Sequence, residues 1–174
     1  MDIAAELGIR PIVNAVGPAS RLGGLPLSDG VLAAMRAAGE RNVRMDELQE
    51  AAGQRLAELL GVPAVYVTSG ASAGLTLATA VCVAGEDLAL ADELPRILSP
   101  RRRVLVQQGH RDPYDHALTS AGVTLTEVGY GGSTREGELA RELDETVAAV
   151  LWRPAPRHDL LDLDVVAQIG RAHV

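Results

Sequence analysis

The segment TSGASAG at residues 68–74 predicts a strand, a tight turn and a helix in direct succession. It follows the short apolar run AVYV at residues 64–67 and precedes an alanine-rich stretch that continues to about residue 84. Glycines let the backbone approach a ligand closely, the first N–H groups of a helix have no partner within it, and its dipole favours an anion there. The turn therefore indicates an anion site to which the hydroxyls of Ser69 and Ser72 add donors. A packing junction made of small residues is the open alternative.

Helices and short apolar strands alternate along the rest of the chain. Caps and apolar spacing predict helices at residues 28–38, 45–60, 113–121 and 138–143, and strands at residues 104–106, 123–128 and 147–152. Residues 85–100 read as a polar connection. This alternation is typical of an α/β protein in which helices cover a parallel-rich sheet.

The composition limits the classes of function. All 16 residues counted as Lys and Arg are arginines, and the net charge of −7 argues against a general nucleic-acid surface. The single cysteine, Cys82, lies in the apolar helix and is expected to pack there as a small hydrophobic residue. Residues 71–84 are too few to span a membrane, and the N-terminus does not resemble a signal peptide. We therefore expect a soluble, cytoplasmic protein.

A second polar cluster, QQGHRDPYDH at residues 107–116, begins where a predicted strand ends. The carboxyl ends of parallel strands line the ligand crevice of such sheets. His110 could stack on or hydrogen-bond to a cofactor, Arg111 could hold an anionic group, and Asp115 could orient His116. A solvated loop followed by a helix cap is the alternative. A metal site is not expected, because the spacing of His110 and His116 matches no usual pair of zinc ligands.

Four ordered motifs carry a resemblance to a known family: IVNAVG at residues 12–17, MDELQEAAG at 45–53, YVTSGASAGL at 66–75 and HRDPYDHA at 110–117. Together they resemble the selenocysteine-synthase-like enzymes that use pyridoxal 5'-phosphate (PLP). The similarity spans residues 7–167. Within this family, the motifs resemble more closely the branch that contains the D-glucosaminate-6-phosphate ammonia-lyase group. The resemblance implies a partial three-layer large domain of fold-type I at residues 46–174, after an N-terminal arm and first helix at residues 1–45.

The resemblance also implies roles for particular residues. The PLP phosphate would be held by four consecutive residues, namely Ser69, Gly70, Ala71 and Ser72. His110 would stack on the pyridine ring. Three further side chains would lie near the cofactor or the substrate, namely Arg111, Tyr114 and Asp115. Asn14 would belong to an arm that reaches the active site of a neighbouring subunit, which implies a homo-oligomer.

Two functional residues of the family have no counterpart in the chain. These are the lysine that forms the Schiff base with PLP and the aspartate that pairs with the pyridine nitrogen; the chain has no lysine at all. Arginine cannot replace the lysine, because its side chain stays protonated. We therefore expect an N-terminal fragment with no catalytic residue of its own and no activity alone. Residues 169–174 are read either as the end of a native helix or as a non-native tail.

The resemblance implies a PLP-dependent lyase that releases ammonia from a small-molecule substrate, an amino acid or an amino-sugar acid. One alternative is an L-seryl-tRNA(Sec) selenium transferase, against which the acidic charge argues. The other is a non-catalytic scaffold with the same fold.

Overall fold

The structure is a computed structural model that describes residues 3–96, 99–154 and 160–172. It contains two compact units, at residues 1–66 and 67–174. The boundary expected after residue 45 falls inside the first of these units.

The first unit is helical. Its elements are α1 (Ile3–Glu6), a 3-10 turn (Ser20–Leu22), α2 (Asp29–Gly39) and α3 (Met45–Leu60). Ser28 caps α2 by accepting a hydrogen bond from the N–H of Val31 at 3.5 Å. Gly61 ends α3 in the left-handed conformation, with φ at 66°. Both helices predicted in this region are present, and the caps account for where they begin and end.

Residues 64–67 were predicted to form a strand, but they belong to no sheet in the described part of the chain. A strand is defined by hydrogen bonds to a neighbouring strand, and an apolar run cannot indicate whether that neighbour exists. Within the first unit, the carbonyl of Val65 lies directly against Gly53 of α3. Val65 therefore packs on a helix through its backbone.

The second unit is α/β. Its helices and strands, in chain order, are α4 (Ala71–Ala84), α5 (Leu88–Glu93), β1 (Arg103–Gln107), α6 (His116–Thr119), β2 (Thr124–Val128), α7 (Glu136–Glu142), β3 (Val147–Leu151) and α8 (Leu163–Arg171). Two 3-10 turns, Gln108–His110 and Pro113–Asp115, separate β1 from α6. The helix predicted at residues 113–121 is thus divided between a 3-10 turn and α6. The sheet order is β2-β1-β3, and both pairings are parallel.

Neighbouring residues of the central strand β1 pack into two separate apolar clusters. Val104 joins Val83 of α4 and Leu118 of α6. Leu105, fully buried, joins a second cluster with Leu139 of α7 and Val166 of α8. Since successive side chains of a strand point to opposite faces, the sheet lies between two helical layers. This is the predicted α/β arrangement.

One expectation for helix α4 is wrong. Cys82 is exposed, although it was expected to pack in the core. The helix buries Thr79, Val83 and Ala84 instead, and successive residues of a helix face different directions. No helix within the described ranges combines the length and apolar character that a bilayer span requires.

Candidate functional site

The turn that precedes α4 is open to solvent. Gly70 has φ at 141°, a conformation that L side chains rarely adopt, and no neighbouring atom lies within 4 Å of the position that a Cβ would take. Thr68 donates from its hydroxyl to the carbonyl of Gly70 at 3.0 Å, which fixes the turn. Ser69 and Ser72 are both exposed. Space is thus free beside the glycine for a ligand to approach the backbone.

The electrostatics of this turn favour an anion. Helix α4 has 14 residues and no acidic side chain in its first turn, so no carboxylate offsets the positive end of its dipole there. Residues 68–74, which surround the start of α4, carry no charged side chain. The candidate anion site is therefore formed by backbone N–H groups and serine hydroxyls rather than by a basic residue.

A short hydrogen bond connects α4 to α6. The hydroxyl of Thr76, in the first half of α4, donates to the carbonyl of Ala117 at 2.6 Å. Ala117 lies in α6, which begins soon after β1 ends. This bond ties the helix that follows the open turn to the chain that leaves β1.

His110 lies at the carboxyl end of β1 and is buried, with 4% of its surface exposed. Its ring is nearly perpendicular to that of Trp152 at a centroid distance of 6.0 Å, and its Nδ1 lies 3.4 Å from the amide nitrogen of Gln107. Gln107 forms two hydrogen bonds with the backbone of Leu161, at 2.8 and 3.2 Å, and Trp152 donates to the same carbonyl at 3.0 Å. His110 is thus held in an ordered environment and not in a solvated loop. Its predicted stacking on a cofactor ring stays a prediction.

Asp115 is the centre of an ion network. Its side chain is only 8% exposed, and its two carboxylate oxygens accept from Nε of Arg111 and, at 3.0 Å, from Nη2 of Arg153. The bond to Asp115 is the main cause that raises the pKa of Arg111 above its ordinary value. Arg111 also pairs with Glu127 of β2. Both oxygens of Asp115 are therefore engaged by guanidinium groups, whereas the sequence suggested a bond to His116.

Asp112 forms the helix cap that the sequence left open as an alternative. It accepts from the N–H of Tyr114 at 2.6 Å, and Asp115 accepts from the N–H of Asp112 at 3.4 Å, which completes a capping box. The side chain of Tyr114 is exposed. The same segment thus combines a cap with a buried polar cluster, and it leaves Tyr114 open to a ligand.

Arg153 belongs to this cluster and was not identified from the sequence. It follows β3 by two residues, donates from Nη1 to the carbonyl of His110 at 3.1 Å and pairs with Asp112 and Asp115. Its position after β3 could have identified it as a site residue, because the carboxyl ends of all parallel strands line the crevice, and this applies to β3 as it does to β1.

Asn14 lies in the first unit and organises the arm locally. Its amide nitrogen donates to the carbonyls of Gly17 and Gly24 at 2.8 and 3.2 Å, and its oxygen accepts from the N–H groups of Val16 and Gly17 at 3.0 and 3.1 Å. Asn14 therefore closes the glycine-containing loop that follows it. Its expected contact with a neighbouring subunit stays a prediction.

The known proteins that this chain resembles include two curated enzymes and a solved structure. The chain is 34% identical over 177 residues to a 5'-C-glycyluridine monooxygenase-decarboxylase from a Streptomyces species, covering 97% of this chain and 44% of the relative. It is 27% identical over 179 residues to a D-glucosaminate-6-phosphate ammonia lyase from Salmonella typhimurium, covering 99% of this chain and 48% of the relative. A solved structure of a D-glucosaminate-6-phosphate ammonia-lyase matches with a TM-score of 0.87 at 25% identity, over 99% of this chain and 48% of that one. No protein-family model matches.

These similarities confirm part of what the motifs predicted. The likeness to D-glucosaminate-6-phosphate ammonia-lyases is present in both sequence and structure, the relatives are enzymes, and the α/β fold is shared. The chain spans about half the length of the curated relatives it matches. The selenocysteine-synthase-like family and the PLP cofactor stay predictions.

Proposed function

We propose that this chain is part of a PLP-dependent lyase that releases ammonia from an amino-sugar acid. The observation that carries the proposal is the structural match to a D-glucosaminate-6-phosphate ammonia-lyase over nearly the whole chain. Because the chain spans about half of that protein, the activity is proposed for the whole enzyme and not for these 174 residues alone.

The residues of the open turn fit the phosphate of PLP. A phosphate dianion needs several donors converging on one point, and the start of α4 offers backbone N–H groups together with the hydroxyls of Ser69 and Ser72. Gly70 leaves room for the phosphate oxygens, because nothing occupies the place of its missing Cβ. The absence of an acidic side chain in the first turn of α4 supports the same assignment.

When bound, PLP supplies a carbonyl that links to the substrate amine and an electron sink for negative charge at the α-carbon. The chain's own part in the reaction is binding and orientation. The turn at residues 69–72 anchors one end of the cofactor, and the bonds among Gln107, Leu161 and Trp152 keep His110 at a fixed position on the carboxyl edge of the sheet. The amine that links PLP to the enzyme is not supplied by this chain, because it contains no lysine and its arginines stay protonated.

Arg111 has a more limited role in this proposal than the sequence suggested. Its guanidinium already pairs with Asp115 and Glu127, and its side chain is 37% exposed. A substrate carboxylate would have to share this guanidinium with the two carboxylates that already pair with it. The contacts therefore favour a role for Arg111 in ordering the site, and Tyr114 is the better candidate for touching the substrate.

A second candidate function is oxidative decarboxylation of an amino acid joined to a nucleoside. The higher sequence identity to the 5'-C-glycyluridine monooxygenase-decarboxylase favours it. The substrates in the two relatives' names share one chemical feature, an α-amino carboxylate attached to sugar carbons. We propose this as the substrate class, and assays of the full-length enzyme for ammonia release and for oxygen consumption separate the two reactions. Activity on neither class would leave the transferase and scaffold alternatives.

The test of the phosphate assignment is the double variant Ser69→Ala with Ser72→Ala. Each lost charge-assisted hydrogen bond is worth about 1.5 to 3 kcal/mol, so the Kd for pyridoxamine 5'-phosphate should rise by an order of magnitude or more. This ligand is chosen because its amine cannot form a Schiff base with the N-terminus. The melting temperature without ligand should hardly change, since alanine suits both the turn and the helix.

The matched control is Ser120→Ala, which removes an exposed serine whose hydroxyl donates to the carbonyl of His116 at 2.7 Å. It should leave the Kd unchanged. An unchanged Kd in the double variant, together with a lower melting temperature, would make Ser69 and Ser72 structural residues and remove the basis of the phosphate assignment.

A further inference from the structure

Arg153 connects the ends of two strands through one guanidinium group. It follows β3, and its acceptors lie in the segment that follows β1: the carbonyl of His110 at 3.1 Å, Oδ1 of Asp115 at 3.0 Å and the carboxylate of Asp112. The Arg153 side chain is 19% exposed and that of Asp115 is 8% exposed, so solvent screens this contact less than a surface ion pair.

The same network reaches the third strand. Asp115 also accepts from Arg111, and Arg111 pairs with Glu127 near the end of β2. A chain of charged side chains thus runs from β3 through the β1 segment to β2, along the edge at which the strands end. Arg153 connects this network to the backbone of the buried His110 through its bond to the His110 carbonyl.

We propose that Arg153 is a positioning residue that sets the place of the His110 ring relative to the cofactor site. This inference rests on the proposed function, because it assigns His110 to the wall of that site. Arg153 acts through the His110 carbonyl and through Asp115, and it does not itself touch the cofactor. The planar fork of arginine can serve several acceptors at once, whereas the single ammonium of lysine cannot keep the same geometry.

A second arginine of the same unit provides a matched control. Arg103, at the start of β1, is 23% exposed and pairs with Glu142 at 2.6 Å and with Asp144 at 3.2 Å. It also donates to the hydroxyl of Thr126 at 3.2 Å. Arg103 thus holds a comparable network at the opposite end of β1, so its loss reports what such a network contributes to stability alone.

The experiment compares Arg153→Met, Arg153→Lys, Asp115→Asn and Arg103→Met. Three quantities are measured for each: the melting temperature, the Kd for pyridoxamine 5'-phosphate, and the fluorescence emission of Trp152 without ligand. Trp152 is the single tryptophan of the chain and contacts His110, so its emission reports the His110 environment directly. A substitution at residue 153 can change the emission of Trp152 simply because the two residues are adjacent in the sequence. Asp115→Asn is included because residue 115 is distant from Trp152 in the sequence.

We expect Arg153→Met and Arg103→Met both to lower the melting temperature. Only Arg153→Met and Asp115→Asn should shift the Trp152 emission and raise the Kd, by about tenfold or more, because small misplacements of a binding group carry large costs. Arg153→Lys should restore little of the affinity.

Two results would overturn the proposal. One is an equal loss of affinity in Arg103→Met and Arg153→Met, because affinity would then follow stability. The other is full recovery in Arg153→Lys, because charge alone would then suffice. If the unmodified chain binds no pyridoxamine 5'-phosphate, the phosphate assignment fails. The emission of Trp152 in Asp115→Asn then still tests whether the network positions His110. An unchanged spectrum refutes positioning by this network, and a shifted spectrum supports it.

Discussion

At the scale of single residues, Asp144 gives a prediction for pH dependence. It accepts hydrogen bonds from the hydroxyl and the backbone N–H of Thr146, at 2.5 and 2.8 Å, and pairs with Arg103. The bond from the Thr146 hydroxyl is the main cause that lowers the pKa of Asp144 below 3.8. Its contribution to stability is therefore complete above pH 3.8 and is lost as the pH falls through the lowered folded pKa.

Asp144→Asn should accordingly lower the melting temperature at neutral pH and flatten the decline that occurs below pH 3.8. Thermal melts from neutral to strongly acidic pH check this. Glu145→Gln controls for the loss of one neighbouring negative charge. If Asp144→Asn and the unmodified chain decline in parallel on acidification, Asp144 does not contribute in this way.

Single residues also show which parts of the candidate site a local sequence pattern can predict. The open turn at residues 69–72 and the polar segment from Gln107 to Asp115 were predicted because a strand end or a helix start marks them in the sequence. Arg153 was missed, since its partners His110 and Asp115 lie 43 and 38 residues away. Pairing over such distances is decided by which strands become neighbours in the sheet, and no short motif encodes it.

At the scale of elements, the contact between α3 and the segment after it depends on one glycine. A Cβ at Gly53 would overlap the backbone carbonyl of Val65, which cannot move aside as a flexible side chain would. Gly53→Ala should therefore destabilise the first unit by about 1 to 3 kcal/mol, although alanine is the better helix former.

The control for this prediction is Gly30→Ala in α2, where no neighbouring atom lies within 4 Å of the new Cβ. It should stabilise the unit by about 0.5 to 1 kcal/mol, because alanine loses less backbone entropy on folding. Urea unfolding followed by circular dichroism measures both variants. Stabilisation of similar size in both would show that α3 does not pack against Val65 as described.

The elements themselves differ in how well the sequence predicts them. Helices α2, α3 and α4 were predicted because clear caps and regular apolar spacing mark them. Helix α5 was missed, since only six residues lie between its caps at Asp87 and Leu94, and the segment read as part of a polar connection. Helix α8 was indicated only through one of the two readings of residues 169–174, although Asp162 precedes it and its apolar residues Val166 and Ile169 pack on the sheet. Short helices of this kind are stabilised mainly by tertiary packing.

At the scale of the whole molecule, uncovered apolar surface predicts association. On α4, Leu77, Val81 and Cys82 are exposed, and in the described sheet β2 and β3 each have one neighbouring strand whereas β1 has two. Exposed apolar faces and free strand edges promote contacts between chains. We expect the chain to self-associate as its concentration rises, which sedimentation velocity measures, and we expect Val81→Glu to reduce the association. A monodisperse monomer at every concentration would refute the prediction.

The proposed function depends on binding of the cofactor phosphate by the turn before α4. The most direct measurement is a pair of nuclear magnetic resonance titrations of the ¹⁵N-labelled chain, one with pyridoxamine 5'-phosphate and one with pyridoxamine, which lacks the phosphate. We expect the amide signals of Gly70, Ala71 and Ser72 to shift with the phosphorylated ligand and hardly at all with pyridoxamine. Equal shifts with both ligands, or phosphate-dependent shifts that leave these three amides unchanged, would contradict it.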